Sequence, residues 1–187
     1  MAKTSGGNRG GNSGATERVL KGIEFEISRQ KYETAAIVDA KGNLLLRKDG
    51  NKKSVSFTRD EIAKMENAII THNHPSGTTN RYGIGHAFSV EDLQMAATSN
   101  AAEIRAVSGK VTYSMKRPKG GWEATAGRIK ANFNSANRTV REKMQSYIDN
   151  YRGDVNIAIN RANTLHYHLV SKRVAKVLGW NYSKTLK

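Results

Sequence analysis

Thr71-His72-Asn73-His74-Pro75-Ser76-Gly77 is the stretch that most narrows the choice of fold. The apolar residues 68–70 precede it and predict a buried strand that ends at the two histidines. Side chains alternate between the two faces of a strand, so His72 and His74 point the same way and their imidazoles converge. The proline and glycine that follow predict the end of the strand and a turn.

Ser89-Val90-Glu91-Asp92 supplies a third candidate ligand. Ser89 predicts the N-cap of a helix, which places Asp92 in the first turn of that helix. Two imidazole nitrogens, one carboxylate and a fourth position open to water are the donor set of a catalytic zinc site. The chain contains no cysteine, so its metal ligands must be His, Asp or Glu. We therefore predict a Zn²⁺ site formed by His72, His74 and Asp92. The alternative is a polar strand end followed by an ordinary helix cap.

The pattern H-x-H-P-S-G followed by S-x-x-D resembles the motif of the JAMM (MPN+) metallopeptidases, and its Pro-Ser-Gly form is closest to RadC-like members. The resemblance covers residues 17–117 and implies an α/β fold in which a JAMM/MPN-like mixed sheet is flanked by helices. It also implies zinc-dependent cleavage of a peptide or isopeptide bond in a protein substrate. One departure is the spacing of 15 positions from His74 to Ser89, which is longer than the usual gap. The segment 78–88 accounts for it and bears on substrate access and metal geometry.

The family also carries a catalytic glutamate on an earlier strand. Glu33 is the best match here, 39 positions before His72. The resemblance implies that Glu33 is the general base and that Ser89 donates a hydrogen bond to the tetrahedral oxyanion. Glu24 and Glu26 are the alternatives for the base.

The composition is strongly basic, with a formal net charge of +15 over 187 residues. A charge of this size favours a polyanionic partner, most often nucleic acid, although a merely basic surface is the alternative. The sequence has no apolar run long enough for a membrane span and no signal-peptide pattern at its start. We therefore expect no membrane partner and a cytoplasmic location.

Short apolar runs separated by turn residues predict a three-stranded meander at 34–39, 44–48 and 54–57. A capping box at Thr58 and Glu61 predicts a helix through residue 67, with Ile62 and Met65 on its inner face.

Three segments are expected along the chain. Residues 1–16 are rich in Gly, Asn and Ser and predict a disordered basic arm, and 17–122 is the JAMM-like domain. Within that domain the sequence leaves open whether 17–31 is helix or strand, and it predicts a hairpin of strands 102–108 and 111–116. Residues 123–187 are predicted to be a basic helical extension.

The extension shows apolar residues at three- and four-residue steps over 124–151 and again over 155–178, with Gly179 as a stop. These patterns predict a C-terminal antiparallel helical hairpin. Residues 123–187 hold 12 Lys and Arg against 4 Asp and Glu, so this region carries +8. We expect nucleic acid, or an acidic protein partner, to bind basic residues that lie off the apolar stripes: Arg128, Arg138, Arg141, Lys172, Arg173 and Lys176.

Two functional classes remain open at this stage. The first is a zinc metallopeptidase, which the predicted ligands favour. The second is a basic nucleic-acid-binding or virion-associated structural protein that retains the fold, which the charge favours. More loosely, the run 71–75, then Phe88-Ser89 and 103–107, resembles JAMM-type segments attached to phage head-morphogenesis proteins. This resemblance implies a location in the cytoplasm of a bacterial host cell or in a virion. His166 and His168 lie two apart on a helix and face different directions, so they are not expected to be joint ligands.

Overall fold

A computed structural model describes residues 11–75 and 86–186. Its helices and strands, in chain order, are α1 (Gly11–Ile27), β1 (Thr34–Val38), β2 (Leu44–Asp49), α2 (Arg59–Ala63), β3 (Ile69–Asn73), α3 (Val90–Thr98), β4 (Glu103–Ser108), β5 (Val111–Lys116), α4 (Ala126–Asp149), α5 (Val155–Leu178) and β6 (Asn181–Leu186).

The strands form one six-stranded sheet in the order β2-β1-β3-β4-β5-β6. Only the central pair β3 and β4 is parallel, with α3 in the connection between them, and the other four pairs are antiparallel. A mixed sheet with flanking helices confirms the predicted α/β class.

The two faces of the sheet have different characters because side chains alternate along each strand. On one face, Ile70, Ile104 and Tyr113 are fully buried in a core that also contains Phe133 of α4 and Val170 of α5. On the other face, polar side chains of β3 to β5 meet α1. The carboxylate of Glu24 accepts hydrogen bonds from Thr71 and Thr112 there. The face that carries Ile70 also carries His72, two residues further along β3.

The predicted third strand at 54–57 is wrong. The side-chain oxygen of Asn51 accepts hydrogen bonds from the amides of Lys53 and Ser54, and this local turn outweighs the weak strand pattern. In the predicted meander, β1 would pair only with β2, and its other edge would be free. In the structure that other edge pairs with β3. Glu33 therefore lies at the start of a strand that is hydrogen-bonded to the histidine strand.

The N-terminal region is more ordered than its composition indicates. Residues 11–16, predicted to belong to a disordered arm, form the beginning of α1, and 17–27 continues it, while 1–10 lie outside the described residues. Tertiary contacts explain the helix. Leu20 and Ile27 are fully buried, and the Thr16 hydroxyl donates to the carbonyl of Ala40.

The helix predicted over 58–67 is shorter than expected, because α2 ends at Ala63. Of its two expected inner residues, Met65 is buried whereas Ile62 is 40% exposed.

The C-terminal region contains the predicted helical hairpin and one strand that the sequence did not predict. Helices α4 and α5 pack against each other, and Gly179 ends α5 in the left-handed region at φ 71°. Strand β6 then pairs along β5, and the Trp180 indole donates to the carbonyl of Trp122. The hairpin therefore shares its hydrophobic core with the sheet. Among the described helices, none has the length together with the apolar character required to span a bilayer.

Candidate metal centre

The end of β3 brings its two histidines together as the alternation rule predicts. The Nε2 atoms of His72 and His74 lie 3.1 Å apart, and the two rings meet edge to face at a centroid distance of 4.9 Å. Both side chains are almost completely enclosed, with 6% and 11% of their surfaces exposed. Their imidazole nitrogens therefore face one shared point inside the protein.

The first turn of α3 supplies the carboxylate. Ser89 is the N-cap, and its Oγ accepts from the amide of Asp92 at 3.1 Å. The Asp92 Oδ2 atom accepts in return from the amide of Ser89 at 2.8 Å, so a complete capping box holds this side chain. The Oδ1 atom lies 3.5 Å from Nε2 of His72, and Oδ2 lies 4.0 Å from Nε2 of His74.

The spacing of these donors matches what a small divalent cation requires. One ligand atom from each of His72, His74 and Asp92 lies within 4.8 Å of the others. Tetrahedral zinc with bonds of about 2.0 Å keeps its ligand atoms about 3.3 Å apart, close to the distances found here. This buried group could therefore bind a metal ion. Within the part of the chain that the structure describes, no other cluster of His, Asp or Glu meets the same spacing.

A backbone carbonyl orients the second histidine. The Nδ1 atom of His74 lies 2.8 Å from the carbonyl oxygen of His86, which can only accept. Nδ1 therefore carries the proton, and the lone pair of Nε2 points towards His72 and Asp92. Metal-bound histidines are commonly held in this way, with the distal ring nitrogen donating to a carbonyl.

The charges in the site already favour a bound cation. The neighbouring histidines and the Ser89 amide together outweigh burial and hold the pKa of Asp92 well below its usual range. Burial opposes a charge on His72, but the Asp92 carboxylate prevails and raises the pKa of that imidazole. Burial, with His72 beside it, lowers the pKa of His74 to about 4. The site thus keeps an ionised Asp92 beside a neutral His74, and the proton that the raised pKa favours on His72 is the positive charge that a metal ion would replace.

Glu33 lies next to this group. It directly precedes β1, and β1 pairs with β3 so that Ala35 stands opposite His72. The Glu33 side chain is half-buried, and this burial raises the pKa of its carboxyl group. The charge on His72 opposes the shift and the Asp92 carboxylate adds to it, so the net shift is upward. The alternatives for the base are elsewhere. Glu24 lies on the opposite face of the sheet, and Glu26 is exposed and paired with Arg47.

Ser89 has a structural function in this arrangement, because its hydroxyl oxygen caps α3. A donor function of the same hydroxyl towards a substrate stays a prediction.

The segment 78–88, which lengthens the spacing between His74 and Ser89, is described only in part, because residues 78–85 lie outside the described residues. At its end, Ala87 and Phe88 are fully buried, and this anchors the chain between His86 and the N-cap of α3.

Asn73, between the two histidines, is a site residue that the sequence did not identify. Its side chain points to the opposite side of β3 and is fully buried. Its Oδ1 atom accepts from the amide of Thr34 at 2.6 Å, and its Nδ2 atom donates to the carbonyl of Tyr32 at 3.0 Å. These bonds hold the chain on both sides of Glu33. The only signal in the sequence was that Asn73 is a polar residue at the end of a strand that is predicted to be buried.

Replacing Asn73 with alanine is expected to lower the free energy of unfolding by about 2–4 kcal/mol, because a buried amide and a buried carbonyl lose their partners. The metal ligands are untouched, so metal binding should persist. Urea denaturation measures the first effect and metal titration the second. Asn43→Ala is the matched control, since the Asn43 side chain bonds only to the Asp39 carboxylate at the surface, and it should cost less than about 1 kcal/mol. Equal losses in the two variants would contradict a stabilising function for the hydrogen bonds of Asn73 to Thr34 and Tyr32.

The other histidines have separate partners. The Nε2 atom of His166 lies 2.6 Å from the side-chain oxygen of Asn137, and Nδ1 of His168 lies 2.8 Å from the Tyr182 hydroxyl. They point in different directions, as predicted.

No family model, curated protein or solved structure matches this chain. The inference about its function therefore rests on the site.

Proposed function

We propose that the chain is a zinc-dependent hydrolase of the JAMM type that cleaves a peptide or isopeptide bond in a protein substrate. The observation that carries the proposal is the buried His72, His74 and Asp92 group, with Glu33 directly before the adjoining strand β1. Two nitrogens and one carboxylate form a three-ligand set that leaves a coordination position open, as in hydrolytic zinc enzymes.

A bound zinc ion would lower the pKa of a water molecule to about 7 and polarise the carbonyl of the scissile bond. The protein supplies the remaining chemistry. Glu33 takes a proton from the attacking water and passes it to the leaving nitrogen, as a general base and then a general acid. Burial favours this function because it raises the pKa of Glu33 towards neutrality. The Ser89 hydroxyl, at the N-cap of α3 beside Asp92, donates to the carbonyl oxygen as negative charge develops there.

Removing the metal is expected to abolish hydrolysis reversibly. The probes are a pool of amine-blocked peptides from a digested bacterial lysate and a set of synthetic peptides joined through lysine side chains. Each cleavage exposes a new amine that mass spectrometry detects. Zinc-loaded protein should release new amines, a chelator should stop the release, and added zinc should restore it. If zinc-loaded protein releases no more than His72→Ala/His74→Ala on either probe, the hydrolase proposal fails.

The basic charge points to a separate attachment function, which we propose for α4 and α5. The six basic residues expected to lie off the apolar stripes are all exposed. Charge alone fits nucleic acid and an acidic protein surface equally well, and either would suit the phage or virion setting that the resemblance implies. An isolated 123–187 fragment would be a poor test, because this region shares its core with the sheet.

A further inference from the structure

A groove of about 330 Å³ lies between α4 and α5, and none of its lining residues belongs to the metal centre. Its apolar lining consists of Val140, Met144 and Leu169, and four basic residues surround it: Lys143, Lys172, Arg173 and Lys176. Val140 is 5% exposed and belongs to the core, whereas Met144 and Leu169 pack on that core and stay partly exposed. The groove is therefore an extension of the core that opens between cationic side chains.

The positive charges around this groove are not balanced by the protein. All four basic side chains are exposed, and in the described ranges none of them forms an ion pair. Like charges held close together on two helices repel one another, and an anionic partner relieves that repulsion. The charge complement of the groove is therefore a partner that carries several carboxylates or phosphates.

The apolar lining decides between these two kinds of anion. Phosphate contacts use cations and hydrogen-bond donors, and they leave an apolar slot unfilled. An amphipathic helix uses both features, because its apolar stripe enters a hydrophobic groove while its flanks meet the charges around it. Met144 suits such a contact, since an unbranched thioether adapts to different apolar side chains. The antiparallel pair α4 and α5 also offers the seam against which a third helix packs.

We propose that this groove is a docking site for an acidic amphipathic helix of a partner protein. One or two apolar side chains of the partner fill the space above Met144 and Leu169, and its Glu or Asp residues pair with Lys143, Lys172 and Lys176. The contact is small, so we expect a dissociation constant in the micromolar range. The proposal is independent of hydrolysis, because none of these residues touches the metal centre.

The test uses the full chain and a fluorescent synthetic peptide of about 18 residues, or five helical turns. The peptide has leucines at i, i+3, i+4 and i+7 and glutamates on both flanks. Its comparison is a scrambled peptide of the same composition, measured by fluorescence anisotropy at about 0.15 M salt, where exposed charges are screened beyond about 8 Å. The amphipathic peptide should bind at least about tenfold more tightly than the scrambled one.

Three variants separate the groove from general basic charge. Lys143→Glu/Lys172→Glu/Lys176→Glu should weaken peptide binding at least about tenfold. Arg128→Glu/Arg138→Glu/Arg141→Glu is the matched control, since it changes the net charge equally but lies outside the groove, and it should have less than about a threefold effect. Leu169→Gln should weaken binding about fivefold while every cation is retained.

Three results would overturn the proposal. The first is equal affinity for the amphipathic and scrambled peptides. The second is equal weakening by the two triple variants. The third is tighter binding of a short DNA duplex, with both triple variants weakening it and Leu169→Gln leaving it unchanged, which would assign the surface to nucleic acid. Zinc content and hydrolysis should be the same in all three variants, so this test can fail without affecting the proposed function.

Discussion

Glu33→Gln is expected to lower hydrolysis at least about a hundredfold while zinc binding stays unchanged, because an amide cannot accept the proton that a carboxylate does. The substitution keeps the size and the half-buried position of the side chain, so the fold should be preserved. The measurement pairs the release of new amines from the peptide probes with the zinc content of the same preparation. This separates a proton-transfer function from a ligand function.

Glu26→Gln is the matched control, since Glu26 is exposed and pairs only with Arg47 at the surface. It should leave both activity and metal content unchanged. Loss of zinc from Glu33→Gln would show that Glu33 is a ligand, and full activity in that variant would remove it from the chemistry altogether.

Arg105→Met is expected to lower the free energy of unfolding by about 3–5 kcal/mol, because it removes the cation from buried carboxylates. The Arg105 side chain is 8% exposed and bonds to Glu103 at 2.6 Å, with Glu24 at 3.4 Å on the other side. Both glutamates are almost completely enclosed. Thermal unfolding should shift down by roughly 10 °C for a chain of this size.

Arg47→Met provides the comparison, since its ion pair with Glu26 is exposed and should contribute less than about 1 kcal/mol. The deficit of Arg105→Met should also shrink as the pH falls. In the wild type, the hydrogen bond from Arg105 lowers the folded-state pKa of Glu17 below its unfolded value. The stability that this pair contributes is therefore present above the unfolded pKa and is lost as the pH falls through the folded pKa, which narrows the gap between the two proteins. A deficit that is small, or equal at pH 7 and pH 4, would contradict this account of the network.

The parts of the site that follow local rules could be predicted from sequence. Convergence of His72 and His74 needs only the two-residue repeat of a strand, and the Ser89 and Asp92 capping box needs only helix-start chemistry. The antiparallel hairpin of α4 and α5 follows in the same way from apolar periodicity. These features depend on residues that are close in the chain.

The rest depends on pairing between distant segments, which local patterns do not determine. Glu33 reaches the site because β1 pairs with β3, whereas the sequence predicted a meander with a third strand at 54–57. Strand β6 forms because β5 offers an open edge. The carbonyl of His86 orients His74, and a backbone atom leaves no signature in residue type. Helix α1 begins in the weak helix formers Gly11, Asn12, Ser13 and Gly14 because tertiary packing of its later residues outweighs weak helix propensity.

The most direct test of the central claim is the metal content of the purified chain, determined by elemental analysis after reconstitution with zinc and removal of the excess. We expect about one zinc per chain in the wild type and almost none in His72→Ala/His74→Ala, because a single carboxylate cannot retain the ion. Circular dichroism of both proteins checks that the fold is retained. Two histidines and a carboxylate are also a ligand set for non-haem iron, so iron is measured in the protein as first purified. Tight iron in place of zinc would keep the site and replace the proposed chemistry. A wild-type chain that takes up no metal, or a double-histidine variant that takes up as much as the wild type, would contradict the account.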